Sequence, residues 1–153
     1  MVASVTNEGI QTLCVEKEIF IGAPLDIAFE SLLEELGPES ALPGKPMPMV
    51  IEAWPGGRWF RDLGNQSGHF WGHVQVIKPP ALLEICGPFF MSYPGVNHLQ
   101  YRLTAEGTGT KLKLVHRGFG EIPAEVREGV DEGWGSSLNR VLKIAESRMK
   151  SKS

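Results

Sequence analysis

From Gln11 to Ile21 the apolar residues Leu13, Val15, Ile19 and Ile21 share one parity, and Glu16 and Glu18 take the other. That alternation predicts a strand with one buried face. Ala23-Pro24 then opens a helix, with proline in the first turn and Leu25, Phe29, Leu32, Leu33 and Leu36 on one face. Gly37-Pro38 ends it, and the proline-rich stretch 38–48 reads as a loop or broken helix. Strands are predicted at 49–54 and 58–63 around a Pro55-Gly56-Gly57 turn, then at 68–77 and 82–86, divided by Lys78-Pro79-Pro80. Over 97–105, Leu99, Tyr101 and Leu103 face one way. Over 111–119, Leu112, Leu114 and His116 do the same. A two-residue turn at Thr108-Gly109 would set Leu103 opposite Leu114 and Tyr101 opposite His116.

The last element is a helix over 123–149, with Val126, Val130, Trp134, Leu138, Val141, Leu142 and Ala145 at helical spacing. Its start is acidic and its end basic, as the helix dipole favours. Gly129, Gly133 and Gly135 interrupt it, each costing roughly 1 kcal/mol against alanine. They call for a reason, for which a close sheet, a ligand or a bend are the candidates. Hairpin-linked strands and one long amphipathic helix predict an α+β fold, a curved antiparallel sheet wrapped around the C-terminal helix with an internal cavity.

The 153 residues suit one domain, read here as 10–149 with flexible tails at 1–9 and 150–153. A net charge of -3 gives no basic footprint for nucleic acid. Neither a signal peptide nor a membrane-length apolar run is visible, so a cytoplasmic protein without membrane association is expected. Cys14 and Cys86 fit two buried free thiols, or a disulfide only if their strands are neighbours. His69 and His73 share a strand face but sit too far apart to grip one ion, and no metal or cofactor is expected. Gly107-x-Gly109 sits in a hairpin and is no dinucleotide loop, and Gly-x-Ser-x-Gly, His-Glu-x-x-His and P-loop patterns are absent.

Several motifs occur in a telling order: Ala23-Pro24 with Ala28-Phe29 and Leu32; Pro55-Gly56-Gly57-Arg58-Trp59; Gly72-His73-Val74 with Lys78-Pro79-Pro80 and Leu83; Gly109-Thr110-Lys111-Leu112-Lys113-Leu114-Val115-His116; and Gly133-Trp134 with Leu138 and Leu142. From Val15 to Ile144 the chain resembles the bacterial members of the activator of heat-shock protein 90 ATPase-like family, in the START/Bet v 1 (SRPBCC) helix-grip superfamily. The resemblance implies the helix-grip fold and a cavity. It does not imply one activity: relatives bind lipids, hormones or polyketides, and a few are cyclases or aromatases.

Candidate chemistry concentrates on the inward faces. His116, inward by parity, is a satisfied core histidine, a polar anchor for a ligand, or a general base. Tyr101 and Trp134 join an apolar body to a polar handle. Trp59 and Phe70 belong to the aromatic set between sheet and helix. Phe89 sits in the apolar loop 87–95, which reads as folded onto the core, a lid over the cavity, or a homodimer contact. The expected ligand-binding set is thus Trp59, Phe70, Tyr101, His116, Trp134 and Phe89, with no catalytic residue assigned. The first expectation is a binding protein for a small apolar or amphipathic molecule. The alternatives are a cyclase- or aromatase-like enzyme using His116 or Tyr101, and a co-chaperone-like protein-binding module.

Overall fold

The structure is a computed structural model describing residues 4–5, 9–90 and 92–151. Strand β1 (Gln11–Ile21) leads into helix α1 (Leu25–Leu36). The short β2 (Ala41–Leu42), β3 (Lys45–Pro46) and β4 (Val50–Ile51) come next. Then come β5 (Arg58–Gly64), β6 (Ser67–Lys78), β7 (Leu82–Gly87), β8 (Gly95–Glu106), β9 (Gly109–Gly120) and helix α2 (Ala124–Ser151). Seven strands form one antiparallel sheet in the order β1-β9-β8-β7-β6-β5-β4, while β2 and β3 pair separately. Among the described residues no helix is long and apolar enough to cross a membrane.

The alternating strands bury one face. Leu13 and Val15 of β1, Leu112 and Leu114 of β9, Leu99, Tyr101 and Leu103 of β8, and Leu83 and Ile85 of β7 all lie in the core. α2 lays Val130, Trp134, Leu138, Val141 and Ala145 against that face. The expected sheet gripping a long C-terminal helix is therefore present. α1 packs beside α2 through Ile27, Ala28, Phe29, Leu32 and Leu36.

Four local expectations are corrected. The stretch 49–54 yields only the two-residue β4, because Glu52 turns back to pair with Arg58 while Gly56 and Gly57 exchange backbone hydrogen bonds with Val74. The β8–β9 loop is Gly107-Thr108, with Gly107 at φ 61°. Tyr101 therefore faces Leu114 and His116 faces Leu99, two residues from the predicted register. A two-residue shift keeps every side chain on its face, so parity alone could not detect it. Cys14 is exposed rather than buried, opposite Arg117, and both cysteines are free. Finally, helix α2 includes Lys150 and Ser151, expected in a tail; residues 1–3, 6–8, 91 and 152–153 lie outside the described residues.

Candidate functional site

A cavity of about 700 Å³ opens between the N-terminal half of α2, the β2–β3 hairpin and the β5–β6 end of the sheet. Its apolar wall is aromatic: Trp59 of β5, Trp71 of β6, Phe90 of the β7–β8 loop and Trp134 of α2. Trp59 and Trp71 meet edge-on at 4.9 Å, and Trp71 meets Phe90 at 5.8 Å. The Trp59 indole donates to the Leu36 carbonyl at 2.7 Å, which anchors the ring to the end of α1. Gly129 and Gly133 line the mouth, and a Cβ on either would meet nothing within 4 Å. Two of the three helix glycines thus border open space beside the cavity, while a Cβ at Gly135 would make ordinary contact with Lys17.

The aromatic wall depends on a β-bulge. Trp59 pairs with Gly72 but Phe60 pairs with Phe70, so Trp71 is an extra residue on β6. One inserted residue inverts the parity beyond it. Counting back from buried Val74 by strict alternation would put Phe70 inside. The bulge turns Phe70 outward, where it is 41% exposed and packs on His73. Trp71 and His69 come inward instead, onto the cavity wall. The expectation that Phe70 lines the cavity is corrected on this ground. So is the shared face of His69 and His73, because the bulge lies between them. The bulge carbonyl of Trp71 accepts the Phe89 backbone N–H at 2.8 Å. That bond, together with full burial against Trp59 and His116, holds Phe89 at its left-handed φ of 59°.

Behind the wall runs a hydrogen-bonded relay. Trp134 donates its indole N–H to His116 Nδ1 at 2.9 Å. An indole only donates, so Nδ1 is the acceptor and Nε2 carries the proton. Nε2 donates to Asn97 Oδ1 at 2.6 Å, and Asn97 Nδ2 donates to the Pro88 carbonyl at 3.2 Å. Gly118, opposite Asn97, makes room for this: a Cβ there would come within 2.5 Å of Asn97 Oδ1. The relay ties the β7–β8 loop to α2 through the sheet. Burial depresses the His116 imidazole to about 4, and protonation of Nδ1 would set N–H against N–H at Trp134.

Of the six residues expected to bind a ligand, Trp59 and Trp134 line the cavity. His116 and Phe89 sit directly behind that wall, packed on Phe90, Trp134 or Trp59. Tyr101 is fully buried on β8 and does not share a polar spot with His116, because the register separates them. Its hydroxyl has no hydrogen-bond partner among the described residues. Burial and the nearby negative Glu35 hold the phenol well above its ordinary value. Neither His116 nor Tyr101 contributes to the cavity lining.

Sequence reasoning missed Glu35, a carboxylate only 2% exposed on the cavity wall. It accepts from Ser137 Oγ at 2.6 Å and from Arg140 Nε at 3.0 Å, with Arg140 Nη2 also 3.0 Å away. Ser137 and Arg140 stand one turn apart on α2 and so address the same point. Burial pushes the carboxyl up to about 6, while Ser137 and Arg140 pull it down. The structure puts Glu35 in a stripe with Ala28 and Ser31 along the buried face of α1, a place where a glutamate needs a partner. Among the described residues no group of three or more potential ligands could hold a metal ion.

These two buried groups give opposite pH signatures. The unfolded chain protonates His116 near 6.5 and the folded one only near 4. Its contribution is therefore whole above pH 6.5 and is lost as pH falls to 4, on the order of 3 kcal/mol. Glu35 holds its proton more tightly when folded, so its contribution is whole below 4.5 and is lost as pH rises through 6, about 2 kcal/mol. Urea melts of Glu35→Gln across this range should lose more stability on acidification than wild type does. Identical profiles would refute the opposition.

Residues 44–146, more than half of the chain, match the profile of the family described as Activator of Hsp90 ATPase homolog 1-like protein. The chain belongs to that family. No curated protein sequence matches it. Among solved structures, one from Rhizobium leguminosarum superposes with TM-score 0.73 at 15% identity, covering 93% of this chain and 99% of that one. Another, from Chromobacterium violaceum, gives 0.70 at 18%, covering 87% and 97%. Ara h 8.0201 gives 0.65 at 16%, covering 91% and 99%. At these identities the likeness is one of fold, the Bet v 1 helix-grip fold that the family resemblance implied.

Proposed function

We propose that this protein binds a small apolar or amphipathic molecule in the cavity between α2, the β2–β3 hairpin and the bulged end of the sheet. The observation that carries the reading is the aromatic chamber itself: Trp59, Trp71, Phe90 and Trp134 around about 700 Å³, with two helix glycines left side-chain-free at its mouth. A chamber of this size falls in the range of small-molecule sites, and such sites are mostly apolar with a few placed polar groups. Here those groups are Glu35, Ser137, Arg140 and His69. A glycine in a helix costs roughly 1 kcal/mol against alanine, and at Gly129 and Gly133 there is room for a side chain.

Protein purified gently from its host is expected to carry a small molecule in native mass spectrometry. Apolar and amphipathic probes are expected to change its tryptophan emission, since three of the four tryptophans line the chamber. A protein that retains nothing, and whose emission no such probe alters, would sink the reading.

A further inference from the structure

The polar wall narrows the class of ligand, a narrowing that rests on the cavity being a binding site for small molecules. Both Glu35 oxygens are engaged, Oε1 by Arg140 and Oε2 by Ser137. Each oxygen of this buried carboxylate therefore already has a donor. The wall does offer donors: Arg140 turns Nε and Nη2 to Glu35, while Nη1 has no hydrogen bond among the described residues, and the guanidinium lines the cavity. A ligand group that meets the Arg140 guanidinium must accept hydrogen bonds, and a planar guanidinium is best matched by a carboxylate.

We propose that the cavity captures the carboxylate of an amphipathic ligand, which takes over Arg140 from Glu35 while Glu35 takes up one proton. The charge count requires the proton. One guanidinium cannot neutralise two carboxylates out of water, and like charges in one site favour protonation of one of them. Glu35 is the carboxyl already displaced towards protonation by its burial. Tyr101 of β8 is fully buried, has an unspent hydroxyl, and feels the Glu35 charge.

The other charged groups around Glu35 leave this intact. On α1, Glu30 and Glu34 are tied to Arg148. On α2, Glu125 and Glu132 stand exposed at the cavity edge, where solvent screens their repulsion of an anion. From β6, His69 accepts at Nδ1 from the Trp71 indole. Among the described residues no lysine lines the cavity, and Arg140 is the one arginine on its wall.

The test compares 2-naphthoate with its neutral analogue 2-naphthylmethanol on the wild-type protein, by tryptophan fluorescence and by calorimetry in buffers of different ionisation enthalpy. Naphthoate affinity is expected to rise about tenfold between pH of about 7.5 and about 5.5, with uptake approaching one proton at the upper end. The alcohol should bind without pH dependence. Glu35→Gln should bind naphthoate tightly at every pH, and Arg140→Gln should lose naphthoate but keep the alcohol. The wild-type proton count needs no variant, so misfolding of either substitution leaves the test intact. Naphthoate binding without proton uptake, or unchanged by Arg140→Gln, overturns the proposal. Binding of the alcohol alone overturns it while the cavity reading stands, and binding of neither probe overturns both.

Discussion

Replacing His116 with phenylalanine is expected to destabilise the protein by about 2–4 kcal/mol at neutral pH, read from urea melts. The aromatic ring is kept, though the phenyl is somewhat larger than the imidazole in a fully buried site, so little packing is lost. The loss comes from the relay. The Trp134 indole N–H loses the acceptor it has at His116, at a cost of about 1–3 kcal/mol for a buried donor left unpaired, and Asn97 Oδ1 loses its short bond to His116 as well. Because His116 lies behind the wall and not on it, probe affinity of the folded variant should stay close to wild type. Adding Asn97→Leu removes a second member of the same relay, so the double variant should cost less than the sum of the two singles. A loss below about 1 kcal/mol for His116→Phe would mean that the relay carries no stability. A large loss of probe affinity would return His116 to the binding surface.

The range of each signal decides what the sequence made legible and what it hid. Alternation in β8 and β9 and helical spacing in α2 are local patterns, and they found the sheet, its buried face and the covering stripe from Val130 to Ala145. Those same patterns placed Trp134 on the chamber and His116 inward. Register is not local. The Gly107-Thr108 loop and the predicted Thr108-Gly109 loop give the same parity, so the pairing of Tyr101 with His116 was a choice that alternation could not make. The bulge at Trp71 was the costlier loss. Nothing in Phe70-Trp71-Gly72 announces an extra residue, yet it exchanges Phe70 for Trp71 and His69 on the chamber wall. Glu35 was hidden for another reason. A glutamate between Leu32 and Leu36 reads as the edge of a solvated face until Ser137 and Arg140, about a hundred residues on, are known to meet it. Polar partners far apart in sequence leave no periodic trace.

The glycines at the mouth supply the sharpest contrast between stability and binding. Substituting leucine at both Gly129 and Gly133 is expected to raise stability by about 0.5–1 kcal/mol per site, because leucine is a far better helix former than glycine. No clash opposes this: both positions are helical, and a Cβ at either meets no atom within 4 Å. The leucines stand one turn apart on the same side of α2 and project over the opening that Ser40, Leu42 and Met47 face from the hairpin. Probe affinity should fall by more than tenfold, a change of over about 1.4 kcal/mol. Loss of binding through general damage would arrive with a lower urea midpoint. Loss through a blocked mouth arrives with a higher one, and only the second combination supports a ligand entering between α2 and the hairpin. A stabilised variant that still binds every probe as tightly as wild type would show that the glycines keep no passage open, and that ligands reach the aromatic chamber by another route or not at all.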